Sequence, residues 1–406
     1  MARMSLTDKS DFLSDAMSAW GAAANGITAQ TNAEHKKYWR HWVRYANSTG
    51  IDPFLNPTTV PPIERDIIAG AFAARVRTGR YGRGNQIKVG GVSDALAAIS
   101  KTIELAGQPS QLYRAEGKYQ LHLERVVEGF RRADPPAIPQ LAVPVIVPHT
   151  AFRLAFQTKS AHQRHTGCLI LVAFYYLLRV GEYTQPAYIM VNGKKTRATR
   201  TVQFSVGNVG FFRKGKIIPR SSSLDMLLTA DLATMKISNQ KNGRMGQTIS
   251  HNSNGSQICP VRALAYLTHH ILHHGGSDAD LVSSYYSRGS WHTVTSQDII
   301  NRVRNAVKEL KLHVNGIDPD LVGAHSLRAG GAMALKLNGI DDTTIMKIGR
   351  WTSLTFLQYI HNQIAHLAKD ISSKMSINLP FVNVAAIEPA HTTDNHAKTS
   401  KPVRKL

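Results

Sequence analysis

Residues 325–331 read His325-Ser326-Leu327-Arg328-Ala329-Gly330-Gly331, at the head of an apolar-periodic stretch that predicts a helix over 324–337. His325 and Arg328 stand three apart, so both face one side of that helix. Outward from it, further helices are expected at 343–348, 296–310, 260–274, 162–180 and 150–160. Between them lie β-type segments at 201–206, 232–240 and 247–250, the last two joined by a turn at Lys241-Asn242-Gly243-Arg244. Nearer the start, Thr31-Asn32-Ala33-Glu34 reads as a capping box. Tyr38, Trp42 and Tyr45 follow at helical spacing until Gly50, a stripe best read as core. Helices at 62–78, 93–105 and 119–132 complete that half. Residues 134–148 carry Pro135, Pro136, Pro139, Pro144 and Pro148, which hold a chain extended. The expected fold class is α+β, mostly α. It has a helical domain over 1–133, a proline-rich linker over 134–149, and a mainly helical domain with a small antiparallel sheet over 150–377. A basic tail without packed structure follows over 378–406.

The chain has 406 residues, with 49 Lys+Arg against 27 Asp+Glu, a formal charge of +22. Such an excess points to a polyanion, and nucleic acid is the commonest. Residues 1–140 carry +5 and residues 141–406 carry +17, so the later two-thirds should do most of the gripping. Two cysteines, Cys168 and Cys259, cannot make a disulfide framework, which suits a reducing intracellular setting. The first 20 residues mix Asp8, Lys9, Asp11 and Asp15 with apolar ones and do not read as a signal peptide. The longest apolar run, Cys168–Leu178, is far short of the roughly 20 residues a membrane span needs; it reads as a buried helix.

Familiar nucleotide motifs are missing from the sequence: there is no Gly-x4-Gly-Lys-Ser/Thr loop, and Gly79, Gly82 and Gly84 lack the flanking strand and helix of a dinucleotide fingerprint. His269, His270, His273 and His274 have ligand spacing on one helix but no nearby carboxylate or cysteine, so a solvated face is the better reading. No metal or cofactor is expected. What remains is an ordered set: Arg179, Lys241, His325, Arg328, Trp351 and Tyr359. Two arginines and a histidine can hold non-bridging phosphate oxygens where charge grows in a transition state. A lysine can protonate a leaving alkoxide, and a tyrosine can hold a phosphodiester covalently. Together they make a metal-free phosphoryl-transfer site. Arg75, Arg77, Arg80, Arg83 and Lys88, in and after the second N-terminal helix, read as phosphate contacts.

Leu178-Arg179-Val180-Gly181-Glu182, the Lys241 hairpin, His325 to Gly331, and Gly349-Arg350-Trp351 followed by Tyr359-Ile360-His361 resemble the motifs of tyrosine recombinases of the phage-integrase type. The resemblance covers residues 150–370; the helical arm fits the family's core-binding (SAM-like) DNA-binding domain in character. It implies a clamp around double-stranded DNA and strand exchange through 3′-phosphotyrosyl intermediates, with four protomers gathered on two DNA sites. By position, Arg179 and Arg328 bind the scissile phosphate and His325 assists. Lys241 is the general acid and Tyr359 the nucleophile. Glu182 is an acidic residue that orients the site. Many relatives place a histidine nine residues before the tyrosine, where this chain has Arg350. Others use a tryptophan, here one residue closer as Trp351, the residue favoured for the role. The Gly-Arg-Trp form is similar to recombinases of eukaryotic mobile elements such as Cryptons and DIRS-like retroelements, which implies a nucleus; a prokaryotic host implies the nucleoid. Two alternatives stay open: relaxation of DNA in the manner of type IB topoisomerases, without synapsis, and a DNA-binding protein that has kept the fold but not the chemistry.

Overall fold

A computed structural model describes residues 6–24, 26–82, 84–110, 112–114, 117–136, 140–238, 246–359 and 376. Five helices come first: α1 (Leu6–Ala24), α2 (Ala29–Thr49), α3 (Pro62–Arg77), α4 (Val89–Leu105) and α5 (Leu121–Ala133). Next are α6 (Ile146–Phe156), α7 (Ala161–Tyr175) and the single turn α8 (Val180–Tyr183). A stretch of strands follows: β1 (Tyr188–Val191), β2 (Lys194–Arg197), β3 (Val209–Arg213), β4 (Lys216–Ile218), then the short α9 (Leu224–Leu227), β5 (Leu232–Ile237) and β6 (Gln247–Asn252). After α10 (Pro260–His273), β7 (Ser284–Ser287), β8 (Ser290–Thr293) and α11 (Ser296–Glu309), the described fold closes with α12 (Ala324–Leu337), α13 (Asp342–Gly349) and a 3₁₀ segment, Leu354–Tyr359. The chain is mostly helical with small antiparallel sheets, the class expected.

Two large hydrophobic clusters organise it. The first joins α2 to α5 through Trp42, Tyr45, Phe72, Leu96, Ile99, Leu123 and Val127. Trp42 and Tyr45 are buried, so the aromatic stripe is core. The second is built on α7, whose Cys168 to Phe174 are all buried, against Val209, Phe211, Ala233 and Met235 of the sheet and against α10 and α11. A third, small cluster of Ala332, Ile345 and Phe356 seats the 3₁₀ segment on α12 and α13.

The main sheet has order β4-β3-β5-β6 and is antiparallel throughout. On β5, Ala233, Met235 and Ile237 are buried while Lys236 is exposed, a period-2 pattern that fixes its register. Three hairpins escaped the sequence reading. They turn on Asn192-Gly193, Lys214-Gly215 and Arg288-Gly289, with positive φ at both residues of each pair, as a type I′ turn requires. The expected strand at 201–206 is instead an isolated bridge at Ser205 followed by a 3₁₀ turn. Helix α2 opens at Thr28, whose Oγ1 accepts the Thr31 N–H at 3.0 Å, three residues before the expected capping box. Helix α6 starts inside the proline-rich stretch, since a proline in a first turn gives up only an N–H that has no helical partner. That stretch is also packed: Val143 is buried, and the Leu141 and Val143 N–H groups donate to Leu321 and Ser326 carbonyls.

Gly330 and Gly331 explain the tight seat of α12. A Cβ on Gly330 would lie 2.1 Å from the Val143 carbonyl oxygen, and one on Gly331 would lie 2.3 Å from that of Phe174. Both neighbours are backbone, so the helix would have to move. Gly331→Ala is expected to lower stability by about 2 kcal/mol net, overpacking near 3 kcal/mol being offset by about 1 kcal/mol of helix propensity. Denaturant midpoints measure this; an unchanged midpoint would mean that α12 is free to retreat.

Candidate active site

Helix α7 ends because Leu177 takes a left-handed conformation, φ 48°, rare for a branched apolar residue. The reversal sends Arg179 to the N-cap of α8. Glu182, at the third position of that turn, reaches back to accept the Arg179 backbone N–H at 2.8 Å and its Nη1 at 3.2 Å. Arg179 keeps part of its side chain exposed (26%), whereas the Glu182 side chain is 2% exposed.

From the other side come α12 and α13. Ser326 Oγ accepts the Gly323 N–H at 3.0 Å and so caps α12, which sets His325 on its first turn and Arg328 at the start of its second. His325 has an exposed surface, yet partial desolvation of its ring and then the charges of Arg328 and Arg179 push its pKa below the ordinary histidine value. Both effects favour the neutral imidazole. Arg328 is 2% exposed. Its Nη1 donates to the Leu177 carbonyl at 2.5 Å and its Nη2 to that of Gly349. Its guanidinium carbon lies 4.3 Å from the centroid of the Trp351 ring, a desolvated cation–π contact.

Helix α13 ends at Arg350, again left-handed with φ 59°. The turn directs Arg350 inward, where Nη1 and Nη2 donate to Glu182 Oε1 and Oε2, each at 3.0 Å. Nη2 also donates to the Leu177 carbonyl at 2.9 Å. The pair is sealed, with side chains 1% and 2% exposed. Trp351 lies over Gly349, where any Cβ would fall 1.7 Å from the indole. Phe356, fully buried and 5.5 Å from Trp351 between ring centroids, fastens the 3₁₀ segment that carries Tyr359.

Sequence reasoning thus named Arg179, Glu182, His325, Arg328 and Trp351, and the structure gathers the four charged or aromatic ones Arg179, Glu182, Arg328 and Trp351 into one connected network, with His325 in the field of both arginines. Only the backbone of Tyr359 is described. Lys241 lies outside the described residues. Gln247, the first residue of β6, donates from Nε2 to the Lys347 carbonyl of α13 at 3.3 Å. Lys236 is exposed on β5. What the motif reading underrated is Arg350, which joins both sides. Its place nine residues before Tyr359 marked it, but nothing in a sequence shows a left-handed turn that buries a guanidinium.

The basic residues of the N-terminal half divide. Arg77 is buried, pairs with Asp134 and donates to the Ile87 carbonyl at 2.6 Å, so it serves the fold. Arg75 is half-buried over the Tyr45 ring, 4.9 Å from its centroid. Arg80 and Lys88 are exposed, and Arg83 lies outside the described residues.

The histidines of α10 border a separate cavity of about 400 Å³, shared with His165, Tyr266 and Tyr286. His270 Nε2 accepts the Tyr286 N–H at 3.0 Å. No three-ligand metal cluster occurs among the described residues. Burial pushes His165 down to about 3 and His270 to about 4. An unfolded histidine titrates near 6.5, so the unfolded chain binds more protons below that pH. His165 therefore stabilises the fold fully above pH 6.5 and progressively less as pH falls toward 3, a loss on the order of 4 kcal/mol. Melting curves from pH 7 to 4 should fall less steeply for His165→Asn; parallel curves would show that the ring is not buried neutral.

No family model and no curated protein matches the chain. Several solved structures are similar to it. The XerH site-specific recombinase bound to difH substrate, in a pre-cleavage complex, is 14% identical with a TM-score of 0.41, covering 77% of this chain and 70% of that one. The Tn1549 transposon integrase in complex with transposon right end DNA is 11% identical with a TM-score of 0.42, covering 77% and 85%. The XerA recombinase is 15% identical with a TM-score of 0.34, covering 85% and 100%. No helix among the described residues is long and apolar enough to cross a membrane.

Proposed function

We propose that this chain cuts and rejoins double-stranded DNA as a site-specific recombinase of the tyrosine type, one of the mobile-element kind by its Gly349-Arg350-Trp351 form. The observation that carries the reading is the network that links Arg179 to Glu182, Glu182 to Arg350, Arg350 to Arg328 through the Leu177 carbonyl, and Arg328 to Trp351, beside His325, whose neutral form is favoured. Buried and hydrogen-bonded as they are, these donors need little reorganisation when charge develops on a phosphate. The Tyr359 oxygen attacks phosphorus and gives its proton to His325. The bond to the 5′-oxygen breaks, and Lys241 supplies the proton that oxygen needs. Arg179 and Arg328 hold the non-bridging oxygens throughout. Rejoining reverses each transfer, so the phosphodiester energy is kept in the protein ester and no metal or nucleotide is consumed. On this reading residues 1–133 form a DNA-gripping arm, residues 150–377 carry the chemistry, and four protomers assemble on two sites.

A nicked suicide duplex tests it. Loss of the short strand beyond the nick should trap a covalent protein–DNA adduct that resists denaturant, with the DNA on Tyr359. No adduct on any duplex would leave a DNA-binding protein. The Lys241 role has its own check. Lys241→Ala should slow cleavage by about 10²-fold or more, and a 5′-thiolate leaving group, which needs little protonation, should restore the rate. Failure of that rescue would move the acid to Lys236.

A further inference from the structure

We infer that Arg350 is a positioning residue for the two phosphate-binding arginines, acting through Glu182 on Arg179 and through the Leu177 carbonyl on Arg328. The inference rests on the reading that Tyr359 cleaves DNA. Its own support is geometric. Glu182 takes four N–H bonds, two from Arg350 at 3.0 Å and two from Arg179 at 2.8 and 3.2 Å, so one carboxylate fixes both guanidinium groups. The Leu177 carbonyl takes one bond from Arg350 at 2.9 Å and one from Arg328 at 2.5 Å. Arg350 reaches both acceptors, and it does so from a left-handed turn next to Trp351.

The two buried arginines differ in what holds them. Both η nitrogens of Arg350 are paired with the Glu182 carboxylate, so turning to a phosphate would break a buried ion pair, whereas those of Arg328 are held by the neutral carbonyls of Leu177 and Gly349. The position that in many relatives holds a histidine is thus filled by a group that carries no titrating proton near neutral pH. Its geometry is fork to fork, which a lysine cannot copy. Arg350→Lys keeps the charge against Glu182 but cannot also span to Leu177. Arg179 then loses a fixed anchor, and a misplacement of about 1 Å at a reacting group can cost about 10²-fold in rate.

The experiment uses the full chain and the suicide duplex, reading the single-turnover adduct rate at saturating DNA, the DNA Kd and the melting temperature. For Arg350→Lys we expect a rate about 10²-fold down with Kd within about threefold, a split that a purely structural residue would not give. In an Arg179→Ala background the same substitution should have a smaller further effect on rate than in the parent chain, because one of its two targets is already gone while Arg328 remains. A second variant guards against misfolding: Arg350→Met with Glu182→Met removes both buried charges, a change that is often neutral for stability. It should fold and cleave poorly. A wild-type chain that forms no adduct overturns the cleavage reading and this inference with it. Wild-type adduct with near-normal rates in either variant, or full additivity with Arg179→Ala, overturns the inference alone. Failure of both variants to fold also overturns it, and makes the pair a requirement of the fold.

Discussion

A Tyr359→Phe variant is expected to give no covalent adduct on a nicked suicide duplex while binding that duplex as well as the parent chain does. On the proposed reading the substitution removes one hydroxyl from an interface whose affinity comes mainly from phosphate contacts made by many basic side chains, so Kd should stay within about threefold. If Tyr359 is the nucleophile as proposed, removing its hydroxyl removes the intermediate itself, so the loss of adduct should be complete rather than graded. The packing should also hold. The segment is fixed by Phe356, which is fully buried in the cluster with Ala332 and Ile345. Gel shift, adduct yield and melting temperature measured on one preparation decide the matter. Persistent adduct would send the nucleophile's role to another tyrosine, and Tyr266, Tyr285 and Tyr286 are the ones to substitute next. Tyr266 and Tyr286 border the histidine-lined cavity instead, so adduct on them would imply a different reaction centre.

Much of this arrangement was legible before any coordinates, and the reasons differ by residue. Helix α12 was found from its apolar period, and its bounds agree because Ser326 caps one end and Asn338 and Gly339 close the other. Long amphipathic helices announce themselves in this way. The two-residue hairpins did not, although Asn192-Gly193, Lys214-Gly215 and Arg288-Gly289 carried the turn signal. Their strands are only three to five residues long, too short for a period-2 pattern to stand out. At the site, Arg179, Glu182 and His325 were visible as a spacing. The role of Arg350 was not, because it depends on two left-handed residues, Leu177 and Arg350, that are 173 positions apart and meet only in the fold. Arg77 shows the opposite failure. Counted among phosphate contacts for its charge, it is buried against Asp134, and charge alone cannot tell a solvated arginine from a paired one.

Arg179 and Arg328, the two arginines proposed to bind phosphate, should separate when each is cut to alanine, and the structure says how. Either loss removes a preorganised donor from the developing charge, so cleavage should fall by about 10²–10³ in both. Stability should not behave alike. Arg179 gives up one contact from a partly exposed side chain, its Nη1 to Glu182 at 3.2 Å, and the backbone bond to the same carboxylate survives. An ion pair of that exposure contributes about 1 kcal/mol or less. Arg328→Ala strips the Leu177 and Gly349 carbonyls of a charged donor each and takes away the cation that Trp351 covers. Each charge-assisted bond is worth about 1.5–3 kcal/mol and a desolvated cation–π contact about 2 kcal/mol, so a net loss on the order of 4 kcal/mol is expected, partly relieved by water entering the vacated space. Arg328→Lys should recover little, since one ammonium cannot bridge carbonyls on two turns of chain while lying flat on an indole. Denaturant midpoints for the three variants, with cleavage measured where all remain folded, provide the comparison. Should Arg179→Ala prove the less stable of the two, the division between a surface-facing arginine and one built into the core would be wrong. Equal stability would show that the Leu177 turn stands without Arg328, leaving Arg350 as its principal tie.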